Sequence, residues 1–211
     1  MTDFGPFRSL AAEWDRRYAS APRVFRVEPD ESLVERVTPL ARGRAVDLGA
    51  GEGRNSLWLA RNGWDVVAVD ASAVALDRLA AEATAEGLPV RIVVGDIVPF
   101  LKDDRDASEG FDLAVLAYVH PDRDDRAGIL AAAAASLRPG GHFFVVGHHV
   151  ASLGVAGPPD ADRLYTEEHL RSVPGINVVS LALRQGNSDV TRSATDVVLW
   201  GRRTEGVRPA S

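Results

Sequence analysis

Apolar and polar positions along the 211-residue chain follow two alternating rhythms. From Ser9 to Ser20 the apolar residues recur at helical spacing, with Leu10, Trp14 and Tyr18 on one stripe, and Pro22 closes the run. A second helix is expected from Pro29 to Ala41, opened by the proline and by acids in its first turn. Short apolar runs then predict strands at Arg44–Leu48, Trp64–Val69, Val90–Val94 and Phe111–Ala117. Between them lie helices at Arg54–Asn62, from the cap Ser72 to Glu86 with Gly87 as its stop, and at Asp122–Leu137. After R-P-G-G comes a fifth strand, His142–Gly147. A Gly/Pro-rich loop (Ala151–Asp162) and a short helix (Thr166–Ser172) follow. Two closing strands, Ile176–Leu183 and Val190–Trp200, are joined by a Gln185–Ser188 turn containing Gly-Asn, and Thr204–Ser211 reads as a loose tail.

Strands alternating with helices imply right-handed parallel crossovers, hence a doubly wound α/β sheet with helices on both faces. A terminal hairpin cannot be made by crossovers, so the last strand is expected to run antiparallel to the others. No repeat or linker divides the chain. It reads as a single domain over 1–211, with a helical N-terminal cap (1–42), a ligand-binding core (43–150), a lid insert and hairpin (151–203) and the tail (204–211).

Composition narrows the function classes. Hydrophobic residues at 45% and charged residues at 26% suit a soluble globular chain, and no apolar run reaches the ~18 residues of a membrane span. The N-terminus lacks a basic-then-apolar leader and there is no cysteine, so a cytoplasmic protein without disulfides, thiolate metal sites or a cysteine nucleophile is expected. A net charge of −6 argues against a nucleic-acid partner. All but one of the 24 basic residues are arginines, scattered along the chain, the exception being Lys102.

In a doubly wound sheet, ligands bind outside the carboxyl ends of the strands. Asp47, Gly49, Gly51 and Gly53 end the first strand and Asp70 the second; Asp96 follows the third, and Tyr118 and His120 the fourth. The loop G-A-G-E-G lacks the third glycine of a dinucleotide fingerprint, because Arg54 stands in its place, and no Gly-Lys-Ser/Thr marks a P-loop. Asp47 would repel a pyrophosphate but suits a ligand with an ammonium group. Asp70 is placed to accept hydrogen bonds from ribose hydroxyls. A nucleoside carrying an amino acid meets both conditions.

The runs V-D-L-G-A-G-E-G-R-N, V-V-A-V-D-A-S, V-G-D-I, F-D-L-A-V-L-A-Y-V-H and L-R-P-G-G-H-F-F-V-V-G-H-H, in that order, resemble the class I S-adenosylmethionine-dependent methyltransferases. With W-D-R-R-Y-A upstream, the chain is most similar to the small-molecule branch that includes tellurite-resistance and thiopurine-type enzymes. The resemblance implies a Rossmann-like seven-stranded sheet in the order 3-2-1-4-5-7-6, S-adenosylmethionine as cofactor, and a small-molecule acceptor. It also implies residue roles. Gly49 and Gly51 would let the backbone approach the methionine part, with Asp47 near it. Asp70 would hold the ribose diol, Ala71 would lie beside the adenine, and Asp96 and the Ile97 backbone would bind the adenine. Ala117 and Tyr118 would flank the sulfonium, and Trp14 and Tyr18 would cover the site.

The histidines divide. His142 and His169 read as structural, whereas His120, His148 and His149 follow strands at the active edge, where an imidazole can orient a substrate or take a proton. His120 and His148 are the candidate bases for a hydroxyl acceptor; a thiolate would need only alignment. The acids Asp122, Asp124 and Asp125 suit a helix's first turn better than a metal site, so no metal is expected. Two rivals are an NAD-dependent oxidoreductase, opposed by Arg54, and a protein that binds S-adenosylmethionine without catalysis. The oligomeric state is not encoded in any motif.

Overall fold

A computed structural model describes residues 5–104, 108–185 and 194–205. Seven strands form one sheet: β1 (Arg44–Leu48), β2 (Asp65–Asp70), β3 (Val90–Val94), β4 (Phe111–Ala117), β5 (Leu137–His148), β6 (Ile176–Gln185) and β7 (Thr195–Arg203). Their order is β3-β2-β1-β4-β5-β7-β6, parallel except where β7 pairs antiparallel with both β5 and β6. Both the order and the reversed last strand agree with the sequence reading.

Seven described α-helices accompany the sheet: α1 (Gly5–Ala19), α2 (Glu31–Val37), α3 (Arg54–Arg61), α4 (Ala73–Glu86), α5 (Ile97–Asp103), α6 (Arg123–Ala135) and α7 (Glu167–Arg171). α4 ends as its sequence dictates: the Ser72 hydroxyl accepts from Ala75 N, and Gly87 takes the left-handed conformation at the C-terminus. α2 is shorter than expected. Asp30, not Pro29, is its N-cap, and Pro39, having no N–H, cannot continue it. α5 is an element that periodicity missed, since Pro99 falls in its first turn, where no intrahelical donor is needed.

β5 begins earlier than the expected His142. Phe111 pairs with Leu137 and Leu113 with His142, so Arg138–Gly141 bulges out of the ladder. Gly141 is required there, because a Cβ would sit 2.9 Å from Arg138 O and 3.0 Å from Phe111 O. The Gly-Asn turn and the first residues of the Val190–Trp200 strand lie outside the described residues, as does most of the tail.

Strand alternation sorts the core. Val46, Leu48, Val67, Val69, Ala114, Leu116, Phe143 and Val145 pack with Leu130 and Ala133 of α6 on one face. Ala45, Val66, Leu113, Val115, Phe144 and Val146 pack with Leu33 and Val37 of α2 and Leu59 of α3 on the other. Trp64 is buried here and Trp58 packs beside it. The same alternation turns Asp47 towards α3.

Candidate active site

At the carboxyl edge, β1, β2 and β3 build one half of a cleft from backbone and glycine. Gly49, Gly51 and Gly53 all have positive φ (75°, 55° and 84°), a region L side chains rarely enter. A Cβ on Gly49 would collide with Val119, one on Gly51 would lie 2.6 Å from the Tyr18 hydroxyl, and one on Gly53 would strike Leu79. The loop is therefore bare for two reasons, torsion and close approach.

Asp70 holds this loop in place. One carboxylate oxygen accepts from Gly51 N at 2.8 Å and the other from Ser72 N at 2.8 Å. Burial pushes its carboxyl above the usual range despite these bonds. Each oxygen keeps lone-pair capacity for a further donor. Asp47 is fully buried, and burial raises its carboxyl to about 6 although the Ser56 hydroxyl donates to it at 2.6 Å and Arg54 opposes the shift.

α1 covers this half. The Tyr18 side chain is buried and Trp14, half-buried, lies 5.8 Å from it ring to ring. Asp15 accepts from the Ser72 hydroxyl at 2.6 Å and from Val74 N at 3.2 Å, so α1 supplies a cap to α4. Behind it, buried Glu52 accepts from Val24 N, Phe25 N and Arg78, whose guanidinium also donates to the Tyr18 and Ala21 carbonyls. Ala71 is half-buried next to Asp70. Asp96 is exposed at the N-cap of α5 with no capping bond from its side chain, and Ile97 turns its side chain into the core, leaving only its backbone at the edge.

The other half is made of side chains from β4, β5, β6 and β7. Ala117 packs on the α2/α3 side, and Tyr118 follows it with φ 60°, the one non-glycine positive φ among the described residues. A left-handed backbone costs a side-chain-bearing residue about 1 kcal/mol or more. What holds Tyr118 there is polar: its N–H donates to Val146 O at 2.7 Å and its hydroxyl donates to Asp196 at 2.8 Å. The Arg54 guanidinium lies 5.1 Å from its ring centre. Burial, then the charges of Asp30 and Asp196, push its phenol well above the usual range, so it remains a donor.

Arg184 joins the same cluster. It binds both oxygens of Asp30 (3.1 and 2.8 Å), the Tyr118 hydroxyl (3.0 Å) and Asp196 (3.3 Å). Asp30 and Asp196 are wholly buried. The other Asp196 oxygen lies 2.9 Å from His148 Nδ1. His120 stacks on His148, with ring centres 5.3 Å apart.

Sequence reading named Tyr118, His120 and His148 but not Asp30, Arg184, Asp196, Asp15, Glu52 or Arg78. Asp196 did leave a signal: like Asp47, it is an acid inside an otherwise apolar strand run, T-D-V-V-L-W. His142 stacks on Trp200 and His169 closes the capping box of α7 with Thr166, the structural roles expected. The acids Asp124 and Asp125 occupy the first turn of α6, after Asp122 at its N-cap.

Residues 45–141 match the family described as a methyltransferase domain. The chain thus carries a methyltransferase domain, in the region where its motifs resemble the class I S-adenosylmethionine-dependent enzymes. Among curated relatives, the ribosomal RNA small subunit methyltransferase C of Alcanivorax borkumensis is 33% identical over 49% of this chain. The cypemycin N-terminal methyltransferase of a Streptomyces species is 29% identical over 78% of this chain and 71% of its own length. Two curated relatives, the RNA enzyme among them, are matched over only 37% and 32% of their own lengths. The fold is shared with the N-methyltransferase NodS of Bradyrhizobium japonicum, solved with S-adenosylhomocysteine (TM-score 0.70, 18% identity, 92% of this chain and 98% of that one).

S-adenosylmethionine is the cofactor that a methyltransferase domain implies, and the residues present fit it. The left-handed glycines leave the loop backbone bare, Asp70 keeps acceptor capacity for a diol, and the buried Asp47 carboxyl, held up near 6, lacks the compensation that an ammonium group supplies.

Proposed function

We propose that this methyltransferase transfers a methyl group from S-adenosylmethionine to a small-molecule acceptor by in-line displacement, releasing S-adenosylhomocysteine, and that it works in the cytoplasm. A thiol, a metalloid oxyanion or a hydroxyl would serve as acceptor. When bound, the sulfonium supplies an electrophilic methyl carbon; the protein supplies alignment and exclusion of water. In this reading the glycine loop, Asp47 and Asp70 hold the donor, Ala71, Asp96 and the Ile97 backbone border its adenine, and α1 covers it with Trp14 and Tyr18.

The observation that carries the reading is the roof over the β4–β7 half. The segment after β5 folds back over the strand ends: Arg163 donates twice to His120 O (3.1 and 2.9 Å), the Tyr165 hydroxyl donates to Val119 O at 2.9 Å, and Tyr165 N donates to His148 O at 2.9 Å. Beneath it the His148 side chain keeps 13% exposure, room for a small group rather than an open face for a polymer. Along this segment and beside it Asp122 pairs with Arg163 and Asp162 with Arg123, so these arginines are offset by acids rather than forming a run of unopposed positive charge for nucleic acid.

Titration calorimetry with S-adenosylmethionine and with NAD tests the donor: binding of NAD and not of S-adenosylmethionine would overturn the reading. A panel of a phenol, a primary amine, a thiol, selenite and tellurite, followed by S-adenosylhomocysteine release, tests the acceptor. Release only with an RNA or a folded protein would overturn the small-molecule part.

A further inference from the structure

We propose that Asp196 and His148 form a general-base pair, and that the acceptor is a protic nucleophile, an O–H or N–H group whose proton has to leave as the methyl group arrives. The inference rests on the methyl-transfer reading above and names the chemistry of its acceptor.

Three imidazoles reach the strand ends, and their hydrogen bonds separate them. His120 has both ring nitrogens engaged: Nδ1 lies 3.2 Å from Arg163 O and donates to it, and Nε2 accepts the His148 N–H at 3.4 Å. Burial, then the neighbouring His148, lowers it to about 3, so it stays neutral in that tautomer. His149 is spent in the same way. Its Nδ1 accepts from Ala151 N at 3.2 Å and its Nε2 lies 3.0 Å from Glu167. Neither ring has a lone pair left for a substrate.

His148 differs. Its Nδ1 faces Asp196 at 2.9 Å, and among the described residues its Nε2 has no hydrogen-bond partner. Burial works against the charge on Asp196, but hydrogen bonds from His148 and Tyr118, helped by the positive charge of Arg184, outweigh it and hold the carboxyl below the usual range. An ionised carboxylate only accepts, so Nδ1 carries the proton and Nε2 carries the lone pair. The tautomer is set by a wholly buried partner, itself fixed by the Tyr118 hydroxyl and Arg184.

The charges in the cluster point the same way. Two buried carboxylates, Asp30 and Asp196, face one guanidinium, and Arg184 grips Asp30 with both of its terminal nitrogens. One negative charge is left for Asp196. The positive charge that answers it is the imidazolium formed when His148 takes a proton, so the site is arranged for the charge that develops during transfer. In that step an acceptor lone pair forms the new bond to the methyl carbon. The carbon–sulfur bond breaks with its electron pair left on sulfur, and the acceptor proton passes to His148 Nε2 and later to solvent. A thiolate or an oxyanion already ionised would leave such a pair without work.

The tests separate this pair from the reading it rests on. In the free full-length protein, imidazole ¹⁵N–¹H correlation spectra should show His148 as the Nδ1–H tautomer, and Asp196→Asn should disturb it; a resting Nε2–H tautomer overturns the pair. His148→Gln should bind S-adenosylmethionine within threefold of wild type by calorimetry, while kcat for a phenol or primary-amine acceptor falls about 100-fold or more with KM little changed. In His148→Gly, added imidazole should restore turnover, which a purely structural histidine would not allow. Thiol or tellurite as the methylated acceptor, with kcat unaltered in His148→Gln, overturns the proposal while methyl transfer stands. Failure of wild type to bind S-adenosylmethionine sinks the underlying reading instead.

Discussion

The two halves of the cleft are built on opposite principles. The β1–β3 half is mostly backbone: three left-handed glycines, N–H groups donated to Asp70, and little that depends on residues far away in sequence. The β4–β7 half is a buried network of side chains from five separate stretches, Asp30, Tyr118, His148, Arg184 and Asp196. A backbone site can be written into one short motif, because torsion and bareness are local properties. A side-chain network becomes visible only when the fold brings its members together. The contrast also predicts where each half is fragile: the network in stability, the loop in ligand affinity.

The largest expected effect breaks the network. Arg184→Met leaves Asp30 and Asp196 buried against each other without a cation, and should cost about 3–5 kcal/mol of folding stability, read by urea denaturation. A loss under about 1 kcal/mol would mean the network is not the structural centre of its half.

Next comes the pH response of Asp47. Its carboxyl is raised by burial from 3.8 to about 6. Between those values the folded state holds a proton that the unfolded chain releases, so this residue's contribution to stability is full below about 4 and is lost as pH rises through about 6. Asp47→Asn should remove that slope, so the stability difference between the variant and wild type should change by roughly 3 kcal/mol between pH 4 and pH 7. S-adenosylmethionine affinity should weaken below pH 6 in wild type alone, as the ammonium loses its partner.

Asp70→Ala sharpens the donor half. It removes the acceptor for Gly51 N and Ser72 N together with the place for a diol, and should weaken S-adenosylmethionine binding by about 1–3 kcal/mol in calorimetry with kcat less affected. Unchanged affinity would take Asp70 out of the donor site. The smallest effect is Asp15→Ala, which strips α4 of a cap contributed by α1 and should lower stability by about 1 kcal/mol.

Legibility followed the same division. The strand order followed from the family resemblance, whereas the reversed last strand and the cap and stop of α4 at Ser72 and Gly87 were readable directly, because each rests on topology rules or a single residue's torsion. The bulge before His142 was not, since R-P-G-G reads as a turn until Phe111 is seen to pair with Leu137. α5 was missed because Pro99 argues against a helix unless the helix start is known. Arg184 was invisible: nothing around an arginine in a strand says that it will meet an acid 154 positions earlier. Of the three edge histidines, sequence put His120 and His148 forward as bases, and it could not separate that pair, because what separates them is which ring nitrogens the surrounding backbone and acids have already claimed.

The cap that α1 lends to α4 has a kinetic side. When α1 lifts from the glycine loop, Val74 N and the Ser72 hydroxyl lose Asp15 in the same movement that takes the Tyr18 hydroxyl away from Gly51. These contacts sit on successive turns of one rigid helix, so they break together rather than one by one. An outward movement of α1 would therefore uncover the glycine loop and strip the start of α4 of its borrowed cap in a single step.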